Sequence, residues 1–360
     1  MLLERLEINK LQNGWSKLST LEQLTSIKQQ WYILNKQCGD VLFCSPTWLI
    51  HWIFCYWQPD WQLEVWVFVS NDELVALLPC YSQPLAANAK RRVLYPLGQG
   101  EPEECEVASE FVDLLMLPAW RARLLPELAN KINASNVTKI TWRAISANAS
   151  ILHLARLLRF ASIRGSGFRY KNCKQIDLTL SSQIKRKWQK ILRYEHNKKA
   201  VFSWLRQDEA AVFWPELKRL HQLRWQKQGK LGAFSCNSFN AFHMALITQH
   251  PECCYMSVLT IDNEPAAIHY YLESAGCLHF YQAGWSATYA SLSPSAMLHL
   301  WTAQHSHCAN YDFMMGGNIS YKQELGNAKE ACYQLEVYFG MRAVMQVCLN
   351  TLKRMTGRYK

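Results

Sequence analysis

A group of polar and aromatic residues at helical spacing lies near the middle of the chain. His221, Arg224 and Trp225 stand at i, i+3 and i+4, which places them on one side of a helix. Histidine titrates near neutral pH and can act as a general base, and a guanidinium can bind a carboxylate or phosphate through two hydrogen bonds. The pattern predicts proton transfer at His221 and anion binding at Arg224. The alternative is a helix packed through Trp225, with a structural His–Arg pair.

A second candidate group begins with Asp312, which stands between Tyr311 and Phe313. In a strand its carboxylate faces away from those two rings, and a buried carboxylate needs a compensating partner. We predict that Asp312 orients His221 or Lys322, or accepts a proton itself. The alternative is a buried structural salt bridge.

Tyr321 and Lys322 follow the glycine pair 316–317, where the backbone can approach a neighbour closely. The phenol of Tyr321 can protonate a leaving thiolate, and Lys322 can hold an acidic substrate. On an earlier predicted strand, His269 and Tyr271 alternate with Ile268 and Tyr270, so the two pairs face opposite sides. One of these pairs is expected to line the pocket.

The pair Ser293-Pro294 is typical of a helix start, with Ser293 as N-cap and Pro294 in the first turn. Backbone N–H groups and the helix dipole at such an end attract a phosphate group. We therefore predict a pyrophosphate site at residues 286–297, and the residues assigned to it are Ser293, Ser295, Ala296 and Met297. The alternative is a capped helix without a ligand.

The surrounding pattern alternates strands with helices and predicts an α/β protein in two halves. We predict an N-terminal half over 1–165, a linker over 166–180 and a catalytic half over 181–360. In the catalytic half, a basic helix over 181–199 and a helix over 214–228, with Pro215 in its first turn, precede three consecutive strands. The helix at Ser293-Pro294, two further strands and a basic terminal helix complete it.

Composition limits the partners of the chain. The 360 residues carry a formal net charge of +11, which favours anionic partners such as CoA phosphates, nucleic acid or acidic glycans. The 13 cysteines show no metal-ligand spacing, so we expect reduced core thiols and no metal, in a cytoplasmic protein. No apolar run is long enough to cross a bilayer, which leaves at most peripheral membrane contact.

Four segments in this order resemble the CelD-like acyltransferases of the GNAT superfamily, which are themselves similar to FemAB-type transferases. They are residues 220–229, Ala266 to Tyr271, Tyr281 before Ser293-Pro294, and Tyr311 to Lys322. The resemblance implies two GNAT-like halves, each with a mixed, largely antiparallel sheet flanked by helices, and one active site. It also implies that Tyr271 and Tyr281 contact substrate. Ser295 departs from the glycine that the family usually carries there.

The expected activity is direct transfer of an acyl group from acetyl-CoA or another acyl-CoA to an amine or hydroxyl. The resemblance implies a sugar or other small precursor of cell-surface polysaccharide as the acceptor. No GxSxG motif and no patterned Cys–His pair indicates a covalent nucleophile. Two alternatives remain: a FemAB-type transferase that uses aminoacyl-tRNA, and a non-catalytic module that binds a partner of a polysaccharide pathway. In the main interpretation, nucleic acid is not a partner.

Overall fold

The chain folds into two compact units, seen here in a computed structural model. The first unit comprises Met1–Gly100, Ala108–Ser166 and Cys332–Lys360, and the second comprises Glu101–Val107 and Gly167–Ala331. The structure describes residues 12–85, 88–173, 181–197, 199–205, 207–316, 321–326, 328–340, 345 and 349.

The first unit contains five helices and two sheets in its described part. Its helices are α1 (Leu21–Ser26), α2 (Lys28–Gln37), α3 (Pro46–Tyr56), α4 (Arg121–Asn133) and α5 (Ser150–Ala155). Its strands are β1 (Gly14–Leu18), β2 (Gln62–Leu63), β3 (Val65–Ser70), β4 (Glu73–Leu78), β5 (Cys80–Leu85), β6 (Asn88–Pro96), β7 (Leu115–Met116) and β8 (Val137–Ser146). One sheet has the antiparallel order β1-β3-β4-β7, and in the other β8 pairs with β6 in parallel while β5 joins β6 to β2.

The second unit is built around one mixed sheet. Two strands, β9 (Ala161–Cys173) and β15 (Ala328–Tyr338), contribute residues to both units. The remaining elements are β10 (Ala200–Leu205), β11 (Cys254–Ile261), β12 (Glu264–Ser274), β13 (Cys277–Trp285), β14 (Asn310–Gly316), α6 (Ser182–His196), α7 (Gln207–Gln226), α8 (Asn237–Gln249), α9 (Pro294–His305) and α10 (Tyr321–Leu325). The sheet order is β10-β11-β12-β13-β14-β9, and only β13 and β14 among these neighbours run parallel. The predicted α/β class, with mixed sheets flanked by helices, is confirmed.

Local sequence explains the antiparallel meander β11-β12-β13. Asp262 and Asn263, with φ of 51° and 66°, form the tight turn between β11 and β12, because aspartate and asparagine tolerate the left-handed region better than most residues. The meander predicted from the sequence is present.

Close packing fixes α7 on the sheet. A Cβ at Gly284 of β13 would lie 2.7 Å from Leu220 Cβ and 2.8 Å from the Leu217 carbonyl oxygen, so only glycine allows this approach. The predicted start of this helix is wrong. Pro215 lies inside α7, which begins at Gln207 rather than near residue 214.

Two other expectations need correction. The segment expected to be a linker is strand up to Cys173, because residues 168–173 pair antiparallel with β14; residues 174–180 lie outside the described part. Cys105 and Cys236 form a disulfide within the second unit, although we expected only reduced thiols.

Several expectations are met or lie outside the described residues. Cys44, Cys55, Cys80, Cys277 and Cys308 are free thiols. The predicted terminal helix falls almost entirely outside the described residues. Within the described part of the chain, no helix combines the length and apolar character that crossing a membrane requires.

Candidate active site

The two parallel strands of the second unit separate soon after they pair. Cys277–His279 of β13 lies opposite Asn310–Asp312 of β14, and the described pairing ends there. Phe280 and Phe313 are the first residues beyond this ladder. The chain then leaves β13 and passes through a 3-10 turn at Ala287–Leu292 into α9. This arrangement gives the sheet an opening bordered by β13, β14 and the segment that leads into α9.

The start of α9 differs from a conventional serine cap. Ser293 occupies the predicted N-cap position before Pro294, but it has φ of 50° and its side chain caps no helix amide. Its hydroxyl instead accepts a hydrogen bond of 2.6 Å from Lys187 Nζ on α6. A cation therefore lies beside the helix N-terminus, which increases its attraction for an anion.

Ser295 turns its side chain toward the sheet. Its hydroxyl lies 2.8 Å from Nε2 of His269, whose Nδ1 lies 2.9 Å from the hydroxyl of Tyr271. That hydroxyl also lies 2.9 Å from Thr302 Oγ1 and 3.0 Å from Ser257 Oγ. Tyr271 thus belongs to a buried polar network beneath α9. Burial raises the pKa of its phenol beyond the ordinary value despite these hydrogen bonds.

The other cofactor-site residues differ in exposure. Met297 is fully buried and its amide is bonded to the Ser293 carbonyl oxygen, whereas Ala296 is half-buried. A pyrophosphate at this helix start would therefore meet Ala296 and the backbone, and not the side chain of Met297.

Tyr281 lies on the opposite face of the sheet from Tyr271. Its hydroxyl donates to the Val107 carbonyl oxygen and lies 3.1 Å from Nε2 of His243, and its ring is packed against Phe239. The structure therefore does not bring Tyr281 and Tyr271 together, although both were predicted to contact substrate.

His221 is buried in the packing between α7 and its neighbours. Its Nε2 accepts a hydrogen bond of 2.8 Å from Trp225 Nε1, and its Nδ1 lies 3.2 Å from Gln222 Oε1. Only 2% of the residue is exposed, and burial lowers the pKa of His221 to about 4. Both ring nitrogens of His221 already have hydrogen-bond partners. This geometry fits the alternative interpretation, in which His221 is a structural residue of a helix packed through Trp225.

Arg224 faces a groove of about 520 Å³. The groove lies between the end of α7 and the segment after β13, and it is lined by Arg219, Leu220, Leu223, Arg224, Lys227, Gln228, Trp285, Ser286, Ala287 and Thr288. The half-buried guanidinium of Arg224 lies 5.9 Å from the ring of Trp225. Arg224 and Lys227 make this a cationic groove beside the predicted pyrophosphate segment.

Asp312 is buried and paired. Its carboxylate accepts hydrogen bonds of 2.7 Å from Arg169 Nε and 2.8 Å from the amide of Met314, and lies 3.1 Å from Nδ1 of His279. Burial alone would raise the pKa of Asp312, but the His279 hydrogen bond and the Arg169 charge lower it well below its usual range. The predicted partners His221 and Lys322 are wrong, and the salt-bridge alternative fits.

Tyr321 and Lys322 lie on the short helix α10. The ring of Tyr321 stacks on His299 of α9, with centroids 5.2 Å apart. Desolvation raises the pKa of Tyr321, and the charge of Arg224 partly offsets this effect, so the phenol is protonated at neutral pH. The ammonium of Lys322 donates a 2.7 Å hydrogen bond to the Met315 carbonyl oxygen. Tyr321, 37% exposed, is therefore available as a proton donor.

Within the described ranges, two groups of side chains have the composition of a metal site. They are Glu273, His307 and Cys308, and Cys277, His279 and Asp312, with ligand atoms within 4.8 Å of one another in each group. Asp312 already pairs with Arg169, and the adjacent guanidinium disfavours a second cation there.

Sequence reasoning missed two residues of this region. Lys187 was one of many cations on a basic helix, and its contact with Ser293 depends on packing between elements 106 residues apart. His299 stands in the apolar stretch Met297–Trp301. A lone histidine among buried apolar residues was the only available signal.

Comparison with known proteins gives a consistent result. Residues 181–323 match the family model described as an acetyltransferase (GNAT) domain. No curated protein matches the chain. The fold is similar to the crystal structure of FemX (TM-score 0.61, 9% identity), covering 92% of this chain and 99% of that one.

Two further solved structures share the fold. L-PGS from Bacillus licheniformis has a TM-score of 0.53 at 12% identity and covers 91% of this chain and 96% of its own. A conserved protein of unknown function from Bacteroides thetaiotaomicron VPI-5482 has a TM-score of 0.53 at 13% identity. The match covers 91% of this chain and 100% of that protein's chain. Residues 181–323 are thus similar to an acetyltransferase (GNAT) domain, and the three solved structures share the fold of the chain.

Proposed function

We propose that this domain transfers an acyl group from acyl-CoA to an amine or hydroxyl acceptor. The observation that carries the proposal is the start of α9 beside the separated strands, with Lys187 bonded to Ser293. Free amides, the helix dipole and one ammonium group suit the pyrophosphate of CoA. The CoA phosphates would lie over residues 286–297, with Ala296 in contact, and the thioester would extend between β13 and β14.

The residues around the opening support the chemistry of acyl transfer. The protonated phenol of Tyr321 can supply the proton that the departing thiolate needs. Arg224 and Lys227 in the adjacent groove can bind an acidic group of the acceptor. His221 and Asp312 are better explained as structural residues, because their polar atoms are occupied.

The resemblance to CelD-like proteins favours an acceptor from cell-surface polysaccharide synthesis, such as a sugar or amine precursor. We also propose a cytoplasmic location, because nine cysteines of the described part are free thiols. The groove at Arg224 fits an acceptor with a carboxylate, since a guanidinium binds a carboxylate through two hydrogen bonds.

A second candidate is transfer from aminoacyl-tRNA. It is favoured by the basic exposed face of α6, formed by Lys185, Arg186, Lys190 and Arg193, since phosphate contacts need such cations. Copurified RNA that is released at high salt, together with failure to bind acetyl-CoA, would favour this candidate over the first.

The placement of CoA can be tested with two substitutions at the start of α9. Ala296→Glu adds a negative charge and bulk beside the phosphates, and Lys187→Met removes the ammonium. We expect each to weaken acetyl-CoA binding about tenfold or more in calorimetry, equivalent to about 1.4 kcal/mol. Lys190→Met, on the same helix but exposed, is the matched control. Unchanged affinity in both test variants would refute the placement.

A further inference from the structure

His299 lies where β13 and β14 separate. Its imidazole is packed between Phe280 and Phe313, with ring centroids 4.3 and 5.2 Å away. These are the first residues beyond the paired part of the two strands. Tyr321 stacks on the same imidazole. His299 is 1% exposed. Helix α9 therefore places a buried polar ring beside the opening where the thioester would lie.

Among the described residues, one nitrogen of this ring has a hydrogen-bond partner and the other has none. Nδ1 lies 2.7 Å from the hydroxyl of Tyr311, which in turn hydrogen-bonds the hydroxyl of Tyr271. We assign the Tyr311 proton to that second bond, so Nδ1 of His299 is the donor and Nε2 carries the lone pair. Nε2 has no hydrogen-bond partner within the described residues.

Two equally buried histidines of the same unit provide a comparison. His243 contacts the hydroxyls of Tyr270 and Tyr281 through its two nitrogens, at 3.4 and 3.1 Å. His269 contacts Tyr271 and Ser295. Buried polar atoms are normally paired, and an exception needs a functional or ligand-related reason. The unpaired nitrogen of His299 therefore indicates a group that receives its partner from substrate.

We propose that Nε2 of His299 is the proton acceptor of the acyl transfer, an assignment that rests on the proposed function. Nε2 accepts a hydrogen bond from the attacking N–H or O–H group and then takes its proton. A lone pair of the acceptor nitrogen or oxygen forms the new bond to the thioester carbonyl carbon, the electron pair of the N–H or O–H bond returns to that atom, and the carbon–sulfur bond breaks. The leaving thiolate receives a proton either from Nε2 directly or from Tyr321, whose phenolate then takes the proton held on Nε2. Acceptor and thioester thereby become acylated acceptor and thiol, and both side chains regain their starting forms.

The charges around His299 keep it in the required form. Burial lowers the pKa of His299 well below its ordinary value, and the charges of His269 and Lys322 lower it further. The imidazole is therefore neutral at neutral pH, with a lone pair free to accept a proton. Once Nε2 is protonated, the Nδ1–H bond to Tyr311 stabilises the imidazolium, as does negative charge developing on the thioester oxygen.

Two substitutions separate the roles of the two nitrogens. In His299→Asn the amide can replace Nδ1 beside Tyr311 but offers nothing at Nε2. In His299→Gln the amide reaches the Nε2 position and can accept a hydrogen bond, but it cannot take a proton. The assay uses acetyl-CoA as donor and hydroxylamine as acceptor, and it measures the rate at which thiol is released. His243→Asn, which alters an equally buried histidine on the opposite face, is the matched control.

We expect His299→Asn and His299→Gln to bind acetyl-CoA with unchanged affinity and to lose about 100-fold or more in kcat, while His243→Asn keeps its turnover per folded molecule. If His299→Asn fails to fold, His299→Gln decides. Wild-type turnover in either folded variant would overturn the assignment of His299 alone. A wild type that binds acetyl-CoA without releasing thiol would also overturn it, whereas a wild type that binds no acetyl-CoA would mean that the proposed function itself has failed.

Discussion

Replacing Asp312 with asparagine removes the charge from a fully buried carboxylate while keeping its size. Asp312 is 0% exposed, and the side chain of its partner Arg169 is only 15% exposed. The substitution removes the counter-charge that lies closest to the guanidinium and weakens the contact with His279. Breaking a buried pair by removing one partner costs about 3–5 kcal/mol. We expect Asp312→Asn to lower the free energy of unfolding by this amount.

Urea denaturation at pH 7 measures the effect, and a double-mutant cycle with Arg169→Met isolates the pair. The double mutant should lose less stability than the sum of the single mutants, because the interaction between the two side chains is lost only once. Glu216→Gln is the control, since the side chain of its partner Arg219 is 57% exposed and the pair should be worth at most about 1 kcal/mol.

The pH dependence has a definite sign. The folded-state pKa of Asp312 is depressed, so its contribution to stability is complete above the unfolded value of about 3.9. The contribution is lost as pH falls toward the folded-state pKa. The stability difference between wild type and Asp312→Asn should therefore be constant from about pH 5 to 8 and shrink below about pH 4. A loss under about 1 kcal/mol at pH 7, with turnover abolished, would refute the structural assignment and restore a catalytic one.

Three further predictions concern stability and binding. Trp225→Phe removes the hydrogen-bond donor to His221 Nε2. It should lower the free energy of unfolding by about 1–3 kcal/mol in urea denaturation without changing turnover per folded molecule. An unchanged urea midpoint would contradict the packing role of Trp225. His221, with a pKa lowered to about 4, stabilises the fold fully above its unfolded pKa of about 6.5. Its own contribution should fall by up to about 3 kcal/mol between pH 6.5 and 4, in addition to the losses from His243 and His269, whose pKa values are also lowered. The difference in slope between wild type and His221→Asn measures this contribution, and equal slopes would argue against it. The Cys105–Cys236 disulfide joins positions 131 residues apart, and its reduction should lower the free energy of unfolding by at most about 5 kcal/mol. The control is Cys105→Ser, whose stability should not change when reductant is added.

The local parts of the fold could be predicted because local residues specify them. Asp262 and Asn263 specify the turn between two strands, and Pro294 specifies the start of α9. The start of α7 could not be predicted, since Pro215 favours a first-turn position while tertiary packing keeps it within the helix. The glycines and basic residues of β9 are typical of a linker, and the pairing of its residues 168–173 with β14 has no signal in the local sequence.

The site was predicted less well for a related reason. Helical spacing placed His221 beside Trp225 correctly, but it could not reveal that both ring nitrogens would find partners. The partner of Asp312 is Arg169, 143 residues away, and no spacing rule connects them. Likewise, a sequence cannot distinguish a histidine with paired nitrogens from one, such as His299, whose Nε2 finds no partner in the described part of the chain.

The central claim, that the second unit binds and uses an acyl-CoA, is tested most directly by calorimetric titration of the wild-type protein with acetyl-CoA. The account predicts one saturable site per chain, competed by free CoA and weakened by Ala296→Glu. Absence of binding to acetyl-CoA and to longer acyl-CoAs, in a protein that is folded by thermal melting, would contradict it.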